Sequence, residues 1–188
     1  MIFHDGSVQG ETRMAERQSP TGITFIVSGP IDVPVDRDRR VDDIAFRDIL
    51  AGSAVGKAGC YIFARRTGRG VVPLYVGRSW SSIGRQCIQQ RTLRALEHDI
   101  QENRGTLVLF LLTLDRQGRG ATNKKAISRL ETWLIEQAIG MNTDLLNKQG
   151  TRRSEPPLRI PGILNSGQGR PSEAARALEK ALGLHENR

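Results

Sequence analysis

The sequence predicts an α+β fold: a small, mainly antiparallel three-stranded sheet flanked by helices, with extensions at both ends. Three observations carry this. Two short apolar runs, 61–64 and 71–76, flank a turn region that holds Gly68 and Gly70, the pattern of a β-hairpin. The segment TLVLFLLTL, 106–114, is continuously apolar between Gly105 and Asp115, as a central strand buried on both faces would be. Helical patterns lie between and after these strands. The clearest places Ile127, Leu130, Trp133, Leu134 and Ala138 on one stripe.

Each element follows in order. Residues 1–20 are polar and aperiodic, which predicts a disordered tail. ITFIVSGPIDVPV, 23–35, reads as a strand followed by a segment broken by proline. VDDIAFRDILAG, 41–52, reads as a short helix ending at Gly52. After the hairpin, 79–100 is mainly helical. Leu93, Leu96 and Ile100 share a face while Ile83 and Cys87 are rotated away from it, and Gly84 weakens the helix, so a break is expected near the middle. A basic loop, DRQGRGATNKK, leads to the clear helix, with Asn123 as its cap and Gly140 as its end. Residues 150–171 are rich in Pro, Gly and Arg and read as loop. SEAARALEKALGL then closes as a helix capped by Ser172, with Ala174, Ala177, Leu178 and Ala181 facing inward.

The 188 residues suit one domain with a real core. Lys and Arg number 28 against 20 acidic residues, a net charge of +8. Such a balance favours a polyanionic partner, because each cation set on a phosphate releases condensed counterions. The same charge also serves a merely soluble surface. Cys60 and Cys87 form no CxxC pair, so the spacing gives no support for a zinc site, and both read as small core residues. The residues after Met1 form no basic stretch followed by an apolar run and so do not read as a secretion signal, and no apolar run is long enough for a bilayer. A soluble cytoplasmic protein with no membrane partner is therefore expected. GSAVGKA, 52–58, fails as a phosphate loop: its glycines are four apart, and Ala58 replaces the metal-binding hydroxyl. His4, His98 and His185 are scattered, which leaves no support for a nucleophile triad.

Among the acidic residues, the helix around 121–140 separates two cases. With Ala126 at zero, Leu130, Leu134 and Ala138 fall between about 40° and 120°, Glu131 at about 140° and Glu136 at about 280°. Glu136 is thus a solvated charge. Glu131 lies at the edge of the apolar stripe, half buried, suited to a metal ligand or to a structural ion pair. Arg78 and Arg85 follow the hairpin, as a solvated face or as a phosphate clamp, since guanidinium matches two phosphate oxygens at once.

Both tyrosines of the chain lie in the hairpin, as Gly59-Cys60-Tyr61 and Tyr75-Val76-Gly77. With Arg78 directly after Gly77, Arg85 eight positions past it, Glu131 followed by Leu134-Ile135, and Leu146-Asn147, this set resembles the GIY-YIG nuclease family over residues 59–148. By that resemblance 59–148 is a nuclease domain, 1–20 a tail, 21–58 an N-terminal extension and 149–188 a C-terminal one. There are departures. Cys60 stands where the family has isoleucine, the tyrosines are 14 apart, and Gln89 occupies a position that often holds His or Tyr. Asn142 competes with Asn147 for the asparagine role.

The resemblance implies a metal-dependent endonuclease hydrolysing phosphodiester bonds, in DNA rather than RNA. Glu131 would hold one Mg²⁺ or Mn²⁺, and Arg85 would neutralise charge building on the phosphate. Tyr61 would orient or deprotonate water with Tyr75 bonded nearby, Arg78 would bind an adjacent phosphate, and Asn147 would hold the site together. A phenol acting as base at neutral pH needs a pKa depressed from about 10. Gly77 would, by the same resemblance, lie at the substrate surface. Arg116, Arg119, Lys124 and Lys125, on the loop before the helix, would grip the backbone, and Arg152, Arg153 and Arg159 would extend the track. One site cuts one strand, so double-strand cleavage would require a homodimer or two successive events. The alternative is a non-catalytic nucleic-acid binding module on the same fold.

Overall fold

The structure, a computed structural model, describes residues 23–51, 56–115, 121–147, 158–164 and 171–184. The elements run β1 (Ile23–Asp32), α1 (Asp43–Ala51), β2 (Gly59–Thr67), β3 (Gly70–Ser79), α2 (Ile83–Cys87), α3 (Gln90–Glu102), β4 (Thr106–Leu114), α4 (Ala121–Met141), β5 (Leu158–Arg159) and α5 (Glu173–Ala181). The class is α+β, as expected. The sheet is larger than the three strands the sequence predicts: its order is β3-β2-β4-β1-β5. The β2–β3, β2–β4 and β1–β4 pairs are antiparallel, and the two-residue β5 runs parallel to β1. The reason lies in β4. Every residue from Leu107 to Leu114 is buried, so its backbone groups need partners on both edges. The hairpin covers one edge, and β1, from the N-terminal extension, covers the other.

β1 continues through Gly29-Pro30, with a shift in pairing register between Ser28 and Ile31 rather than a break. The hairpin strands extend beyond the predicted runs, with Gly68 and Arg69 at the turn. A bulge at Leu74 interrupts the register, next to Pro73, which β3 tolerates as the edge strand.

Period-two alternation divides the core. Cys60, Ile62, Ala64 and Val76 point into a cluster closed by Ile127, Leu130, Leu134 and Ala138 of α4 and by Ala175, Leu178 and Ala181 of α5. Tyr61, Phe63 and Leu74 point the opposite way, against Phe46 and Leu50 of α1, Ile83 and Cys87 of α2, and Leu93, Leu96 and Ile100 of α3. The C-terminal helix therefore shares a core with the central segment. Its cap is as expected, with the Ala175 N–H donating to Ser172 Oγ at 3.1 Å.

Two helix boundaries differ from expectation. α4 begins at Ala121, so Asn123 lies inside it, and it passes through Gly140 to Met141. A side chain at Gly140 would meet only open space, so no packing requires the helix to stop there. Lys124 and Lys125 are accordingly exposed on the first turns of a helix, not on a loop. The break expected after the hairpin is real: Ile88 and Gln89 separate α2 from α3. Cys60 and Cys87 are free and fully buried, and burial pushes both thiols up. Among the described residues no helix is long and apolar enough to cross a membrane.

Candidate active site at the open end of the hairpin

Pairing register places Tyr61 opposite Gly77, Phe63 opposite Tyr75, and Cys60 opposite Arg78. Tyr61, Tyr75 and Gly77 therefore share one face of the sheet. The Tyr61 ring stacks on Tyr75, with centroids 6.0 Å apart and planes 23° apart, and meets Phe63 edge-on at 5.9 Å and 82°. A β-carbon at Gly77 would overlap the ring and hydroxyl of Tyr61, so only glycine lets the phenol lie across β3 here. Gly59 meets a similar demand: its φ is +157°, and a β-carbon there would run into the Leu112 carbonyl of β4. The two glycines flanking the tyrosines are thus fixed by close approach.

Arg78 leaves the opposite face. Its Nη1 donates to Glu131 Oε2 on α4. Its guanidinium also lies over the Trp80 ring, 4.7 Å from the centroid. Glu131 is the more enclosed partner, its side chain 16% exposed against 40% for Arg78. Burial pushes the Glu131 carboxyl up from its usual range, and Arg78 partly offsets this. The negative charge of Glu131 reaches both the Cys60 thiol and the Tyr61 phenol. Carboxylate, guanidinium and phenol therefore form one electrostatic neighbourhood around the end of the hairpin.

β3 is an edge strand, and the segment after α4 closes that edge. The Val76 N–H donates to Asn147 Oδ1 at 3.0 Å, and Asn147 Nδ2 donates back to the Val76 carbonyl. The Leu146 N–H donates to the Leu74 carbonyl at 2.8 Å, and Asn142 Nδ2 to the Pro73 carbonyl at 2.7 Å. Both asparagines hold β3. Asn147 holds it between Tyr75 and Gly77, and Asn142 nearer the turn.

The remaining sequence candidates divide. Arg85 is exposed on α2, whose Ile83, Gly84 and Cys87 are buried, and among the described residues it makes no ion pair or hydrogen bond. Gln89 is exposed at the junction between α2 and α3. Lys124 and Lys125 are exposed on α4. Arg116, Arg119, Arg152 and Arg153 lie outside the described residues, and Arg159 contributes backbone to β5.

One expectation is reversed. Tyr61 is 1% exposed, and burial, followed by its neighbours Tyr75, Cys87 and Glu131, drives its pKa upward. A base at neutral pH would need the opposite shift. Tyr61 is therefore a neutral, packed phenol, while Tyr75 is only partly buried and is the phenol nearer solvent. The ion pair that the helical position of Glu131 suggests is present, with Arg78 as its partner, which the sequence does not name; Trp80 is a residue the sequence reading misses. The signal for Trp80 was its lone apolar bulk within the polar run RSWSS.

Among the described residues no group of three or more His, Cys, Asp or Glu gathers to hold a metal ion. A single half-buried carboxylate is nonetheless the kind of ligand Mg²⁺ uses when it keeps most of its waters and takes the rest of its shell from substrate phosphate. Glu131 fits that description through the oxygen that Arg78 leaves free. No protein-family model, curated protein or solved structure matches this chain.

Proposed function

We propose that the protein is a metal-dependent endonuclease of the GIY-YIG type, hydrolysing phosphodiester bonds in DNA. One observation carries the reading. Residues scattered from Gly59 to Asn147 in sequence meet at one end of one hairpin, each with a physical reason for its identity. Glu131 would hold Mg²⁺ or Mn²⁺, which when bound supplies Lewis acidity and offsets negative charge at the scissile phosphate. Arg78, held between Glu131 and Trp80, would take a phosphate oxygen. Arg85, free of protein partners among the described residues, would meet charge developing on the phosphate. Tyr75 would position the attacking water by hydrogen bonding, and the neutral Tyr61 behind it would fix the Tyr75 ring. Asn147 keeps β3, and so both Tyr75 and Gly77, in register. Water adds to phosphorus as the bond to the leaving oxygen breaks, and the proton that the water gives up to solvent is balanced by one taken up by the leaving oxygen.

The basic net charge supports a polyanionic substrate, and Lys124 and Lys125 on α4 would hold its backbone. A second reading is a binding module on the same scaffold. It is favoured by the engagement of Glu131 by Arg78 and by Gln89, which offers no base. Nicking of supercoiled plasmid separates the two. Wild type should nick with Mg²⁺ or Mn²⁺ and stop with chelator, and Glu131→Gln should lose at least about 100-fold in rate. Salt-sensitive DNA binding without nicking by the wild type would establish the binding module instead.

A further inference from the structure

Trp80 is the one aromatic among the exposed large hydrophobic side chains of the described residues, at 42% exposure. Trp133, the other tryptophan, packs against the α4–α5 core. Trp80 stands on the short bend that leads from β3 to α2, and that bend is fixed. Ser79 is buried, and its Oγ accepts from the Ser82 N–H at 3.0 Å and from the Ser81 N–H at 3.4 Å. The indole is thus presented from an ordered turn beside the arginine assigned to phosphate.

An exposed indole costs the protein unfavourable hydration that an exposed polar residue would not. Support of Arg78 accounts for the ring area that the guanidinium covers. It does not account for the area left open to solvent at the mouth of a site for phosphodiesters. A phosphate has no use for an aromatic surface, but a nucleobase does, because every base has a π-face that stacks on an aromatic ring. Bases inside a duplex are already stacked, and extruding one is costly. An unpaired base pays little of that cost.

We propose that Trp80 is a stacking platform for an unpaired nucleotide adjoining the phosphate held by Arg78. The preferred substrate is then DNA with a single-stranded segment at the cut site, as in a flap, a branch or a frayed end, and not continuous duplex. This rests on the nuclease reading for the word "cut" but not for the stacking itself.

The test uses the full chain with chelator present, so that nothing is cleaved. In Trp133→Phe, Trp80 is the sole tryptophan, and its emission reports directly on stacking. A single-stranded oligonucleotide should quench it strongly, and the blunt duplex of the same sequence should quench it weakly. A flapped duplex should bind more tightly than the blunt one by about 5- to 150-fold, the range measured for one base on one aromatic ring. Trp80→Ala should remove that preference, lowering flapped-duplex affinity far more than the blunt-duplex affinity that loss of support for Arg78 also touches, and Trp80→Phe should retain most of the preference. Arg78→Ala, by contrast, should weaken flapped and blunt DNA alike. Equal quenching by single strand and duplex would overturn the proposal. So would a flap preference unchanged in Trp80→Ala, including one preserved because both affinities fall by the same factor. The two readings fail separately. Metal-dependent nicking without a flap preference sinks the stacking role alone. A flap preference that depends on Trp80, without any nicking, sinks the nuclease and leaves stacking as the business of a binding module.

Discussion

Two arginines of the hairpin each reach a helix carboxylate, and the two pairs differ in kind. Near the turn, Arg65 of β2 meets Asp99 of α3, with one guanidinium nitrogen 2.6 Å and 2.5 Å from the two carboxylate oxygens. Both side chains are largely enclosed, at 17% and 18% exposure. At the open end and on the other face, Arg78 of β3 meets Glu131 of α4 through a single oxygen and rests on Trp80. There the arginine is more than twice as exposed as Arg65. The first pair is enclosed and uses both carboxylate oxygens: it fastens strand to helix, although Arg65 Nε is left buried without an acceptor. The second keeps a carboxylate oxygen free and a guanidinium within reach of solvent. The same residue types, in the same supersecondary setting, thus form a fastener at one end and a candidate site at the other.

The largest effect should come from breaking the fastener. Asp99→Ala leaves an enclosed guanidinium without its partner, which should cost about 3 kcal/mol. Thermal unfolding should show this as a fall of about 6–12 °C. A fall under 2 °C would mean that the two pairs are alike after all. Gly77→Ala attacks the open end through sterics, because the new β-carbon displaces the Tyr61 ring. It should cost about 1–3 kcal/mol and disrupt nicking together with the Tyr61–Tyr75 stack, as near-ultraviolet dichroism would report.

Asn147→Ala removes both hydrogen bonds to Val76 and should cost about 1–2 kcal/mol, with faster amide exchange along β3. Exchange that is unchanged at Val76 would show that Leu146 and Asn142 close the edge without it. Arg78→Ala should cost no more than about 1 kcal/mol in stability, since the pair is partly exposed, while phosphate-dependent functions fall sharply.

The smallest effect on stability has a definite sign. Burial holds the Glu131 carboxyl above the value it has in the unfolded chain. Between those two values the folded state keeps a proton that the unfolded chain releases, so wild-type stability falls as pH rises through that window. Glu131→Gln does not titrate. Its stability relative to wild type should therefore climb through the same window and level off above it, with folding intact at neutral pH while nicking is lost. Denaturant titrations of both proteins from acid to neutral pH would check this, and a mutant that weakens with rising pH would make Glu131 a fastener like Asp99.

Much of this arrangement was legible in the residues. β4 was readable because six consecutive apolar residues, Leu107 to Leu112, followed by Thr113 and Leu114, admit little else than a strand covered on both faces. Glu131 was readable as half buried because helical spacing alone puts it beside the apolar stripe. β1 was legible as a strand but not as a member of this sheet, since nothing local says which edge it joins. The Tyr61 base role failed for a related reason. That role needs a depressed pKa, but the fold turns Arg78 to the opposite face and buries the phenol.

The sequence by itself determined the α+β class, the hairpin with its two phenols, the central strand, the cap at Ser172 and the set of residues that resembles a nuclease site. All of these depend on near neighbours or on a single period, which chain order carries directly. Only the tertiary structure decided that the sheet has five strands, that Arg78 and not Arg85 pairs with Glu131, that Gly77 makes room for Tyr61, and that Trp80 stands open beside the site. Those outcomes depend on which face a side chain leaves by and on what a distant segment brings to meet it. Burial and pairing are properties of the packed chain, and a one-residue change of register would exchange them all.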